Sequence, residues 1–449
     1  IYIQDFHTHY EAQKNIASIL EKLVNDFNLN LVLVEGGWGD VSLSYLRDYG
    51  SKEKRLEVAE KYLKNGEISG EEYLDIMSDY PIKLQGIEDE NLYNEHVKTF
   101  VDVEKFQDKA KIWISNLQDI TDDLKNKIYS QNLQDLDRLQ KDKEGDRITL
   151  ALFCQELSKI ANNADIDYAS LSDFNKFVEL AKLEKEVDHQ KIEDERKYLI
   201  SQLDSSANKE ELESVSDEAL NKADENQLSY YKHLDELAKN KLPDFNKSMW
   251  AARSYANLNT YIKYLETAGN IDLKSLTQDI QILTGRLKKS LFTNDDERKL
   301  SEISDSLKLL DNLVSLKLTP EEYEVFQSKR NAFTFNEWVE FLKTNAAKYN
   351  LTKTVDADYA VVADNLDILG KFYQIGEKRN DVFMRHIFSA MEDNGENITC
   401  LITGGFHTPF IIEQLKEKGV SYCVVAPRIT QPSDDALYVK ILKEKAGIK

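Results

Sequence analysis

Short apolar runs bounded by turn residues punctuate the two ends of the chain. They are 1–5 (IYIQD), 31–35 (LVLVE), 83–87 (KLQGI), 398–403 (ITCLIT) and 421–426 (SYCVVA). Each has the length of a buried strand. Helical spacing lies between some of them. Residues 9–27 set Ile16, Ile19, Leu20 and Leu23 on one face, and 409–418 form a shorter amphipathic stretch. Strand, helix and strand in this succession predict βαβ units and a mainly parallel sheet.

The middle of the chain reads differently. Leu276, Ile280, Leu283 and Leu287 step by four, three and four, and so do Ile303, Leu307, Leu310 and Val314. Such steps lay an apolar stripe along one helix face. Thr319-Pro320-Glu321-Glu322 is a helix start, with an N-cap Thr, Pro in the first turn and Glu at the third position. Of 17 glycines, only Gly145, Gly269 and Gly285 lie between 87 and 369, and no proline occurs from 82 to 242. A region so free of breakers is built for long helices. The expected architecture is therefore a discontinuous α/β core from 1–97 and 355–449, interrupted by an all-α, bundle-like insertion of 98–354. Insertion is tolerated because the entry and exit of an inserted domain can lie close together. The stripes read as bundle seams or as docking surface for a protein partner.

Charge narrows the function classes. Asp and Glu total 80 against 58 Lys and Arg, a net charge of −22 in 449 residues. The acidic excess extends over 1–97, 98–354 and 355–449, which argues against nucleic acid or an anionic membrane surface as partner. No apolar run approaches the roughly 20 residues that span a bilayer. Three cysteines, Cys154, Cys400 and Cys423, form no CxxC pair and are too few for a disulfide scaffold. They read as buried thiols. The first residue is Ile, inside an apparent strand. A cleaved leader or a trimmed chain accounts for that, with the balance towards export.

In open α/β sheets ligands bind beyond the carboxyl ends of the strands. Asp5, His7 and His9 follow the first run, and Glu35-Gly36-Gly37-Trp38-Gly39 follows the second. Glu88-Asp89-Glu90 follows the third, and Gly404-Gly405-Phe406-His407 the fourth. Imidazole serves as a general base near neutral pH or as a metal ligand. His7 and His407 are thus candidates for either role, against the plainer reading of loop histidines bonded to carbonyls. His9 joins the site or sits exposed in the first turn of a helix. Glu35, after four apolar residues, requires a cation: a metal, a protonated His or an Arg. Arg379 and Asn380 open a helical stretch running to Met391. A cation at a helix start opposes the macrodipole, so Arg379 points to a carboxylate or an anionic ligand. No GxSxG, P-loop, HExxH or GxGxxG motif is present.

In this order, these residues resemble the erythromycin esterase/ChaN/TraB/Tiki superfamily. The matching runs are Gln4-Asp5-Phe6-His7, Glu35 in LVLVEGG, Gly86-Ile87-Glu88, Arg379-Asn380-Asp381-Val382-Phe383-Met384 and Gly404-Gly405-Phe406-His407. The resemblance covers the two ends only. Gln4 and Asp5 stand where the family carries Gly and Glu, and Asp is one methylene shorter. Some members resemble metal-independent esterases, some resemble metal-dependent peptidases, and some bind haem.

The resemblance and the residues together imply a hydrolase acting on a small-molecule or peptide substrate. His7, Asp5, Glu35, His407 and Arg379 would be catalytic. Glu88, His9 and Asn380 would contact substrate. His7, Glu35 and His407 would hold a divalent metal such as Zn or Mn, if one is used. The alternatives are a ligand- or haem-binding protein and an interaction scaffold that uses the acidic insertion.

Overall fold

A computed structural model describes residues 1–223, 226–242, 255–431, 437 and 440–441. The fold is α/β, with a mainly parallel sheet built from both chain ends and a large helical insertion. The strands are β1 (Tyr2–Asp5), β2 (Leu31–Val34), β3 (Trp38–Asp40), β4 (Lys83–Ile87), β5 (Cys400–Gly404) and β6 (Val424–Val425), in spatial order β3-β4-β2-β5-β1-β6. All neighbouring pairs are parallel except β3 with β4. β5 slots between β1 and β2, so the sheet cannot form without both ends.

Alternation of side chains across the pleat explains the layers. Ile3, Val32, Val34, Leu84 and Ile402 face a core closed by α1 (Tyr10–Phe27), α2 (Lys52–Lys64) and α3 (Gly70–Met77). Their neighbours Tyr2, Leu31, Leu33, Ile87 and Leu401 face the helices Leu366–Asn394 and Thr408–Glu417, through Phe383, Met384, Ile387, Ile411 and Leu415. With apolar cover on both faces, the central strands read as continuous apolar runs.

Two features differ from the sequence reading. β3 is a short exposed strand with no apolar signal. It runs so close to β4 that a Cβ on Gly86 would lie 2.0 Å from the carbonyl carbon of Gly37. The helix around Arg379 begins at Leu366, so Arg379 and Asn380 lie in its interior, not at its start. Gly376 does not break it. That glycine leaves room for Phe406, 3.0 Å from where a Cβ would stand.

The chain divides into two compact units, 1–122 with 302–449, and 123–301. The first therefore extends past the compositional limits at 97 and 355. Within it, Trp113 Nε1 donates to the Asp356 carbonyl at 3.2 Å. Asn116 bonds the backbone of Thr354 and Asp356, and Gln107 donates to the Val314 carbonyl at 2.7 Å. Ile303, Leu307, Leu310 and Val314 are all buried, and Thr319 caps its helix in a capping box with Glu322. The second unit is helical throughout its described residues, with a core that includes Ile192, Leu199, Leu203, Tyr230, Leu234 and Leu258. Leu276, Leu283 and Leu287 are buried there too.

Among the described residues no helix is long and apolar enough to cross a membrane. Cys154 and Cys400 are buried, whereas Cys423 is exposed, contrary to the expectation for all three. It directly precedes the two-residue strand β6 at the sheet edge, where little covers it.

Candidate functional site

Strand register builds the site. Asp5 lies opposite Gly404, and Val34 opposite both Ile402 and Gly86. The carboxyl ends of β1, β5, β2 and β4 thus present Asp5, Gly404, Glu35 and Glu88 along one rim. A cleft of about 540 Å³ opens there, lined among others by Asp5, His7, Glu35, Glu71, His96 and Arg379.

Beyond β1 the chain turns tightly. His9 N donates to the Phe6 carbonyl at 3.1 Å, and Thr8 sits at φ 59°. A β-branched residue in the left-handed region is strained, and such strain is held only where surrounding contacts over-determine it. The turn aims His7, whose Nδ1 is bonded to Asp5 Oδ2. Asp5 is fixed in turn by Gln13, whose Nε2 donates to Asp5 Oδ1 at 2.6 Å. The Gln13 side-chain oxygen Oε1 accepts from Gly70 N at 2.7 Å, tying the dyad to the start of α3. His7 keeps 36 % of its side chain exposed, against 9 % for Asp5. Its Nε2 lies near Gly404 and the Glu35 carboxylate.

Glu35 is held on both oxygens. Arg379 Nη2 donates to Oε1 at 2.7 Å, and Gly404 N donates to Oε2 at 2.7 Å. Burial opposes its ionisation, but the charges of His407 and Arg379 overcome this and hold it well below the usual carboxylate range. Glu88 is seated deeper, where burial pushes its carboxyl up against the pull of Arg379. Arg379 grips it through Nε (3.1 Å) and Nη2, and Gly36 N donates to its Oε1 at 3.2 Å. One guanidinium therefore serves two carboxylates, its planar fork matching both.

His407 has Nδ1 on the Asn380 side-chain oxygen and Nε2 3.4 Å from Glu35 Oε1. Both ring nitrogens face polar partners. Arg379 Nη1 donates to Nδ1 of His96 at 2.9 Å. Burial, with the charge of Arg379 next, pushes His96 down to about 3, so the ring is neutral with its proton on Nε2. That Nε2 is buried without a partner, and the ring packs tilted against Phe372, with centroids 4.2 Å apart.

Asp5, His7, Glu35, Arg379 and His407 thus come together at the rim. The three residues expected to contact substrate do other work. His9 is buried as the N-cap of α1, accepting from Ala12 N at 3.2 Å, with Nε2 3.0 Å from the Gln431 carbonyl. Glu88 is spent on Arg379 and Gly36, and Asn380 on His407. The charge of Arg379 is likewise taken up by Glu35 and Glu88. His96 and Glu71 were missed. Both sit in helices, where their polar character reads as solvated surface.

The three tentative metal ligands, His7, Glu35 and His407, have protein partners in this arrangement. Both oxygens of Glu35 already accept N–H donors, and His407 is shared between Asn380 and Glu35. Among the described residues no group of three His, Cys, Asp or Glu side chains is placed to hold an ion. Comparison with family models, curated proteins and solved structures returns no match for this chain.

Proposed function

We propose that the protein is a hydrolase that cleaves an ester or amide bond without a metal, using His7 as general base. The carrying observation is the Asp5–His7 pair. A carboxylate fixed by Gln13 bonds Nδ1 of a half-exposed histidine that borders a cleft. That bond sets the proton on Nδ1 and leaves Nε2, at the rim beside Gly404, as the basic nitrogen that a general base requires.

Water adds its oxygen to the substrate carbonyl carbon while His7 Nε2 takes its proton. Negative charge grows on the carbonyl oxygen, and the unpartnered Nε2–H of His96 is the donor that meets it. The tetrahedral species then collapses, and the alkoxide or amine leaves with the proton held by His7. Arg379, Glu35, Glu88, Asn380 and His407 hold His96 and the strand ends in place. The residues that carry the resemblance to the erythromycin esterase/ChaN/TraB/Tiki superfamily belong to this network, which supports the reading.

The test is turnover of a panel of 4-nitrophenyl esters and fluorogenic peptides. His7→Ala lowers kcat by about 10²–10⁴-fold on any substrate the wild type cleaves, while EDTA leaves wild-type activity unchanged. Activity that survives His7→Ala sinks the proposal. Activity abolished by EDTA and restored by Zn or Mn replaces it with a metal-dependent mechanism.

A further inference from the structure

The cleft has an arm that the mechanism does not use. Glu71, in the first turn of α3, lines it with only 7 % of the residue exposed. Ser69 and its own backbone N–H are its hydrogen-bonding partners, and its Oε2 is buried with none. The carboxylates that face it are Asp5 and Glu72. Both are satisfied, Asp5 by Gln13 and His7, Glu72 by the backbone N–H and hydroxyl of Ser69. The nearby cations are committed elsewhere. Lys14 lies on Glu60 and Tyr73, and Arg47 on Asp75. No ion pair among the described residues reaches Glu71.

A buried carboxyl with an open oxygen, among other carboxylates, lacks a cation with N–H donors. Burial and the charge of Asp5 meanwhile push the Glu71 carboxyl up to about 8, so it holds a proton near neutral pH. Val34, Val41, Ile68 and Leu84 line the same cleft and offer an apolar surface to an alkyl chain. We infer that this arm binds a protonated primary amine on Glu71 Oε2. The substrate class is then an ester or amide bearing an alkylammonium group, with Glu71 deciding that specificity. The inference rests on the cleft being the hydrolytic site. On binding, the ammonium donates to the carboxylate, and the proton that Glu71 carried passes to solvent.

Hexylamine and hexan-1-ol, titrated calorimetrically into the full chain, test binding without needing turnover. Wild type prefers hexylamine by about tenfold or more, the scale of a charge-assisted hydrogen bond. Heats in phosphate and Tris at pH 7 show release of about one proton per amine bound. Glu71→Gln removes the preference and keeps hexanol binding, whereas His7→Ala keeps the preference. Equal binding of the two probes to wild type overturns the inference, and so does a preference that survives Glu71→Gln. The wild-type comparison and proton count decide the matter even if that variant fails to fold. Turnover of 4-nitrophenyl 6-aminohexanoate against the hexanoate then separates the two claims. Amine binding without hydrolysis of any ester sinks the hydrolase reading alone. Hydrolysis without amine preference sinks the specificity alone.

Discussion

Glu35 and Glu88, beyond β2 and β4, share a buried guanidinium, while Glu71, beside the Asp5–His7 dyad, has no cation partner among the described residues. The carboxylates of both groups are taken out of water, yet only the first is compensated. Compensation marks architecture: Arg379, with its fork divided between two acids and a histidine, has little left for a ligand. An uncompensated group marks chemistry still to be completed. The open donor of His96 and the open acceptor of Glu71 are of that second kind.

Removing the compensation breaks this contrast most severely. Arg379→Ala leaves two buried carboxylates facing each other without their shared guanidinium. The expected loss is about 3–5 kcal/mol of folding stability, the usual consequence of stripping one partner from a buried pair. Arg379→Lys restores the charge but not the fork, and falls between. Urea denaturation of the three proteins measures it. If Arg379→Ala is as stable as wild type, the two carboxylates are not held by Arg379 in the way described.

The uncompensated groups leave a signature in pH, and their signs oppose. Glu71 keeps its proton in the folded state up to about 8, against an ordinary value of 4.5. Its contribution to stability is complete below about 4.5 and is lost as pH rises through about 8, by up to about 1.4 kcal/mol per unit. His96 refuses a proton down to about 3, against 6.5 ordinarily. The unfolded chain takes up that proton first, so stability is lost as pH falls from about 6.5 towards 3, at a similar slope. Between about 4.5 and 6.5 the two offset each other. Glu71→Gln removes the loss above 6.5, and His96→Asn removes the loss at acid pH. Denaturation midpoints across pH 4–9 for both variants check this. Parallel curves for wild type and Glu71→Gln exclude a folded-state proton on Glu71.

The same contrast explains what could be read in advance. The strands announced themselves as apolar runs because both faces of the sheet are covered, and β3 did not because it is exposed. Asp5, His7, Glu35 and His407 were legible because parallel strands deliver whatever follows them to one rim. Glu71 was not. Gly70-Glu71-Glu72 has the composition of an ordinary helix start, where acids sit in water and favour the dipole. Only the packing of α3 against α1 buries the first of them. His96 was hidden likewise, inside a 39-residue helix whose sequence is largely polar. His9 was expected to join the site or to sit exposed in the first turn of a helix, but the Thr8 turn points it back to cap α1, where it is buried. Position along a strand is written locally, whereas the partner that completes or leaves open a polar group is written across the whole chain.

Asn380 gives the smallest and most specific probe of that distinction. Its side-chain oxygen bonds His407 Nδ1 and ties that ring to the helix Leu366–Asn394. Asn380→Ala leaves a buried N–H without an acceptor, at about 1–3 kcal/mol. Asn380→Asp restores the acceptor and strengthens it with charge. If His407 is a positioning residue, the Ala variant loses stability and the Asp variant recovers it, with the pH–rate profile for His7 unmoved in both. A shifted profile in Asn380→Asp with stability unchanged would instead make His407 part of the proton path, and His7 would no longer act alone.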